Sequence, residues 1–219
     1  MATEFWISLT LVCLLGAMSP GPSLAVIVGV SMAQGRLGGV LAALAHGMAI
    51  MLFALVTVLG LVVVLQRYET AFQVLQLFGC LYLVWMAIKL ILFAPAKSDD
   101  LVVATSRSKM AAAGDGFIIA LLNPKIIIFF TALFSQLVSV ESQLWERWLM
   151  ALVAGAVDAV WYMLVAVMIS HSKVLPRVQS SGRWLNKIFG LFLLFIIAGY
   201  MVQITGGHFL SGLDSSSFG

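Results

Sequence analysis

The chain has 219 residues, of which 62% are hydrophobic and only 10% charged, with a mean hydropathy of +1.09 and a formal net charge of +3. Soluble domains carry about a quarter of their residues as charged side chains, so this composition excludes a soluble enzyme or binding module. It describes a chain that crosses a membrane several times.

Apolar runs of about 18 residues or more can cross a hydrocarbon layer of about 30 Å as helices. Six such runs occur, near residues 5–33, 38–65, 71–93, 116–138, 148–170 and 184–204. The expected fold is therefore an all-α integral membrane protein of six transmembrane helices. The opening "MATEFW" carries Glu4 and no Lys or Arg, so it lacks the basic region of a cleaved signal peptide and the first helix should be retained.

The first run is interrupted by "MSPGPSL", in which Pro20, Gly21 and Pro22 break a helix where unsatisfied backbone is most expensive. It ends at Gln34. The second run carries His46 near its start, and the third carries Gly79, Cys80 and Lys89. Cys13 and Cys80 have no CxxC partner and no metal-ligand spacing, so both read as packing residues. Lys89 reads as a residue that reaches the basic membrane face.

The longest polar stretch, Ala94 to Asp115, separates the first three runs from the last three. Residues 1–95 and 116–219 are then two three-helix units, joined by a cytoplasmic loop over 96–115. The fourth run is interrupted by Asn123 and Pro124 in "LLNPKI", followed at once by Lys125, and reaches Gln136. The fifth holds Asp158 near its middle, with Trp161 and Tyr162 at the i+3 and i+4 positions of the same helical face. Ala151, Gly155 and Ala159 form a small-residue ridge suited to close helix packing. The sixth run contains Gly190 and is followed by a short Ser/Gly-rich tail.

Basic residues are distributed unevenly over the connections. Arg36, Lys97, Arg107, Lys109, Lys173, Arg177, Arg183 and Lys187 fall on one side. The other side has Arg67 and Arg147 against Glu4, Glu69, Glu141, Glu146 and Asp214. The basic side belongs in the cytoplasm, which places both termini outside. Trp6, Trp145, Trp148 and Trp184 fall at run ends, where amphipathic rings settle at the interface.

The two halves repeat one another. "PSLAVIVGVSMAQ" from Pro22 to Gln34 matches "PKIIIFFTALFSQ" from Pro124 to Gln136, His46 aligns with Asp158, and Gly79 aligns with Gly190. Because each half has three runs, an odd number, the second half enters the membrane in the opposite sense. This is an inverted-topology repeat, and paired interruptions in its two halves point to a transport site near the midplane. Helix ends at such breaks can present N–H groups to an anion such as a carboxylate.

The residues "SPGPS", "NPK" and "VDAVWY", with the length and segment pattern of nearly the whole chain, resemble the lysine exporter (LysE/RhtB) family of bacterial amino-acid efflux proteins. The resemblance implies export of amino acids or their derivatives across the bacterial inner membrane, with proton antiport as the driving reaction. One departure is His46, where many relatives have an acidic residue.

Candidate roles follow from residue chemistry. Asp158 is a carboxyl group inside a membrane, expensive there unless it faces the bundle or a cavity, and it can exchange protons. With Trp161 and Tyr162 it would make an aromatic-flanked seat for an ammonium group. Lys125 is placed to meet a substrate carboxylate, to pair with Asp158, or to reach the cytoplasmic face. His46 reads as a proton carrier or a hydrogen-bonded core residue. Asn123, Gln34 and Gln136 are candidates to satisfy backbone groups freed at the breaks. No metal site, cofactor or nucleotide-binding loop is expected, nor a nucleic-acid partner. A homo-oligomer, a passive channel or subunit role, and a membrane-embedded redox enzyme or hydrolase remain alternatives.

Overall fold

In a computed structural model, the described residues are 3–19, 21–92, 108–139, 141–169, 184, 187–195 and 197–198. Pro20, most of the central loop and the C-terminal tail lie outside them. All regular structure among these residues is helical: α1 (Thr3–Met18), α2 (Pro22–Arg67), α3 (Glu69–Leu92), α4 (Lys109–Leu122), α5 (Pro124–Leu137) and α6 (Leu144–Ile169). Further helical residues lie at 187–195 and 197–198.

The helices α2, α3 and α6 are each long and apolar enough to cross a membrane, and α4 with α5 form a fourth apolar unit bent by 55°. Large apolar side chains cover the outside: Val56, Leu122, Phe78 and Phe195 are exposed, as are Trp145, Trp148 and Trp184. A surface of this kind is stable only against lipid.

Both prolines begin a helix instead of kinking one. Pro22 and Pro124 each occupy the first helical position, where the missing N–H has no intrahelical partner to lose and the fixed φ suits the helix. The expected span 5–33 is thus α1 plus the start of α2, with residues 19–21 between them.

The expected loop between the first two spans is almost absent. The 46 residues of α2 are two helical arms, 22–34 and 36–67, and the second is long enough by itself to cross a bilayer's apolar layer of about 30 Å. The helix is broken only at Gly35, where φ is +73° and ψ −173°. This left-handed conformation is one glycine adopts without a steric penalty. The chain doubles back there: a Cβ on Gly39 would overlap the Ser31 hydroxyl, although eight residues of straight helix would hold the two about 12 Å apart.

Helix α4 also departs from expectation, beginning within the stretch read as loop. Ser108 accepts a hydrogen bond from Ala111 N at 3.2 Å, and the Met-Ala-Ala-Ala that follows is good helix former, so the helix starts at Lys109.

Two close helix contacts set the position of the site. The second arm of α2 packs on α6 at its small residues, where a Cβ on Gly155 would lie 2.6 Å from the Gly47 carbonyl oxygen. One on Gly47 would lie 2.5 Å from Ala159 Cβ, so neither position has room for a larger residue. This close approach brings His46 and Asp158, each next to the contact, face to face. Gly79 and Gly190 serve similarly: α3 meets α5 at Ala132, and Gly190 meets α3 at Ala87. Cys13 and Cys80 are both buried and free. Lys89 is exposed near the end of α3 and rests on the Trp85 ring, 4.9 Å from its centroid.

Candidate functional site

The two helix breaks touch. At the end of α1, Ser19 N still donates to Leu15 O at 3.1 Å, but the Ser19 carbonyl, at the negative end of the helix dipole, has left the helical ladder. Lys125, the second residue of α5, reaches across from the other half of the chain to meet it. Its Nζ donates to Ser19 O at 3.2 Å and to Ser19 Oγ at 2.9 Å. A cation here offsets the charge of α1's end.

Asn123 closes the second break. Its Oδ1 accepts from Lys125 N at 3.0 Å, capping α5, and its Nδ2 donates to Ser23 Oγ at 3.0 Å in the first turn of α2. The Asn123 carbonyl accepts from Ile126 N and Ile127 N. The start of α5 is therefore satisfied from within. The start of α2 differs, because its cap residue is Gly21 in extended conformation and no side chain caps it. Of the two helix starts expected to present N–H groups, α5's is capped by the side chain before it and α2's has a glycine in that place.

Asp158 projects from α6 toward the same place. Its Oδ2 lies 2.6 Å from His46 Nδ1, and both residues are buried, His46 completely. The other ring nitrogen of His46, Nε2, is buried without a hydrogen-bond partner. Tyr162, one turn beyond Asp158, packs edge-on against the His46 ring with centroids 4.9 Å apart, and Ser23 is within reach of its hydroxyl.

Ser19, Gly21, Ser23, Asn123, Lys125, Asp158 and Tyr162 form the polar side of a cavity of about 30 Å³, room for about two water molecules. The opposite side is made by Cys13, Gly16 and Ala17 of α1 together with Phe129, Phe130 and Phe189. A cation and a carboxylate thus share one small enclosure between two helix breaks, each already held by a group of the protein itself.

Most of the residues expected at a site are brought together here: Gly21, Pro22, Asn123, Pro124, Lys125, Asp158, His46 and Tyr162. Pro20 is outside the described residues. Trp161 does not line the cavity; it packs against the apolar cluster of Val26, Ile27, Val30, Ala42 and Tyr162, so of the aromatic pair only Tyr162 lines the cavity with Asp158. A step of about 100° per residue separates neighbouring side chains, which suffices to turn Trp161 away.

The glutamines do not satisfy the breaks. Gln136 Nε2 donates to Gln76 O of α3 at 2.8 Å, and Gln34 lies beside the Gly35 turn against Gly38. Twelve residues of helix separate each from its proline, about 18 Å. Asn123 and Lys125 take that role, on Lys125 N and on Ser19 O, while Ser19 and Ser23, the hydroxyls that bracket "SPGPS", accept from the Lys125 and Asn123 side chains. The phenylalanines carried no signal, since "IIIFF" in an apolar run reads equally well as a lipid-facing surface. Among the described residues no group of three or more His, Cys, Asp or Glu is placed to hold a metal.

The model of the LysE type translocators matches residues 14–203, a stretch that contains both breaks and the whole cavity except Cys13. The chain belongs to the LysE type translocator family. A threonine efflux protein of Salmonella typhi is 24% identical to this translocator over 201 residues, covering 90% of this chain and 95% of the relative. A homoserine/homoserine lactone efflux protein of Salmonella typhimurium is 29% identical over 206 residues, covering 92% and 97%. A leucine efflux protein of Klebsiella pneumoniae is 21% identical over 210 residues, covering 93% and 98%. No solved structure is significantly similar to the chain.

Proposed function

We propose that this translocator is a secondary exporter of amino acids across the bacterial cytoplasmic membrane, driven by proton antiport and alternating access around the cavity between the two breaks. The observation that carries this reading is Lys125 of one half bonded to Ser19 of the other, in a cavity that also holds Asp158. The relatives named for threonine, homoserine and leucine efflux support the substrate class.

Each charged group of the cavity has a partner that a substrate would replace. The carboxylate of an amino acid would take the place of Ser19 on Lys125, at the uncapped start of α2 where the dipole favours an anion. Its ammonium would take the place of His46 on Asp158, beside the Tyr162 ring. Binding there would separate Asp158 from His46, its 2.6 Å partner, and so tie the state of a buried carboxyl group able to exchange protons to substrate loading. The cavity of about 30 Å³ is closed to a solute of amino-acid size, so loading requires the helix breaks to part.

Six spans arranged as an inverted repeat are the topology that this mechanism needs. Two features support it. His46 and Asp158, aligned between the halves, meet each other as residues on a two-fold axis would. The packing of α1 on α6 is also exchanged by the repeat for the packing of α4 on α2. We place the basic connections in the cytoplasm and both termini outside.

The test is counterflow of radiolabelled amino acids in liposomes containing the purified protein, with Asp158→Asn as the variant. Exchange by the wild type, and a loss of about thirtyfold or more in Asp158→Asn present at equal amount in the membrane, is expected from removing a buried charge partner worth at least about 2 kcal/mol. Full exchange by Asp158→Asn contradicts the site. Flux that ignores an imposed pH gradient contradicts proton coupling.

A further inference from the structure

The charges of the cavity are balanced for a zwitterion. Among the described residues, Lys125 and Asp158 are the charged ones that line it, and His46 stands against the carboxylate. A substrate with a second ammonium, or a second carboxylate, would bring a charge that no lining residue answers, and burying an unpaired charge is strongly unfavourable. The solute is therefore neutral overall.

Its side chain would meet the other wall. Phe129 packs edge-on against both Phe130 and Phe189, with centroids 5.2 and 5.9 Å away, and Phe130 stacks on Phe134 at 5.7 Å. Gly16 of α1 packs directly on Phe129 and Phe189, and Cys13, three residues earlier on the same face, also lines the cavity. The wall offers no hydroxyl, amide or charged side chain to a substrate. Of the polar groups on the far side, Asn123 and Ser23 stay bonded to each other and Lys125 and Asp158 hold the substrate's two charges, while Ser19, released from Lys125, stands at the break and not among the rings.

From the charge balance and this wall, and resting on the export reading above, we propose that the cavity selects neutral α-amino acids with an apolar side chain, seated against Phe129, Phe130 and Phe189. A hydroxylated side chain entering here surrenders its hydrogen bonds to water without replacement. Gly16 supports this wall from behind, because a Cβ at that position would lie 3.2 Å from two ring carbons of Phe129 and press on the ring.

Counterflow with a panel of leucine, methionine, alanine, threonine and lysine in wild-type liposomes tests this directly. Leucine and methionine should exceed threonine by about tenfold or more in kcat/KM, and lysine should be carried least. Gly16→Ala should lower leucine exchange about fivefold and alanine exchange by no more than about twofold, because the methyl shifts the Phe129 ring and only the longer side chain rests on it. Threonine or lysine exchanged as well as leucine overturns the selectivity and leaves the export reading standing. So does a Gly16→Ala protein, inserted in normal amount, that loses leucine and alanine equally. Absence of exchange for every amino acid in the panel overturns both.

Discussion

The two breaks occupy matching places in the two halves of the chain, yet they are built differently. The second is closed within itself: Asn123 caps α5 with its side chain, and its carbonyl takes two further N–H groups. The first spreads over residues 19–21, has Gly21 where a capping side chain would stand, and leaves the Ser19 carbonyl outside its helix. It is completed from the other half, by Lys125 on Ser19 and Asn123 on Ser23. A break that satisfies itself serves as scaffold. One that relies on a partner's lysine and asparagine can exchange those partners for a solute.

This contrast orders the effects of substitution. Among substitutions at the two breaks, removing the cation should cost most. Lys125→Met leaves α1's end and the start of α2 without a positive group, and transport should fall about tenfold or more, while Lys125→Arg recovers part of the loss; charge-assisted hydrogen bonds of this kind contribute about 1.5–3 kcal/mol. Initial rates of counterflow, normalised to protein in the membrane, decide it. Equal rates for Lys125→Met and the wild type would remove Lys125 from the site.

A smaller effect is expected at the self-capped break. Asn123→Ala deletes both the cap of α5 and the bond to Ser23, and should lower stability by about 1–2 kcal/mol, read as a lower melting temperature in detergent. Gly21→Ala should matter least. Its backbone is extended, as residues before proline prefer, and a Cβ there would lie 3.5 Å from Lys125 Nζ, an ordinary contact. A melting temperature within a few degrees of wild type is expected; a change as large as that of Asn123→Ala would mean that the first break is held more rigidly than its lack of a cap implies.

The sequence was most legible where a residue is costly. Proline and asparagine inside apolar runs marked both breaks, Asp158 marked the cavity, and the alignment of the halves paired it with His46, which it meets at 2.6 Å. It was least legible where a residue costs nothing either way. Phe129 and Phe130 look the same whether they face lipid or a cavity, and Trp161 differs from Tyr162 only by one step of helical rotation. Gln34 and Gln136 recur at matching places, but recurrence carries no distance, and each lies a dozen residues of helix from the break it was expected to serve. The Gly35 turn falls in the connection expected between the runs 5–33 and 38–65; what the sequence did not show is that one residue at φ +73° suffices to reverse the chain there.

The central claim is that Lys125 releases Ser19 to hold a substrate carboxylate. Competition by an α-amino acid and by its uncharged carboxamide, measured side by side in wild-type and Lys125→Met liposomes, addresses it most directly. The wild type should favour the acid over the amide by about tenfold or more, and Lys125→Met should carry the two almost equally. A preference for the acid that survives undiminished in Lys125→Met would contradict the claim and place the carboxylate elsewhere.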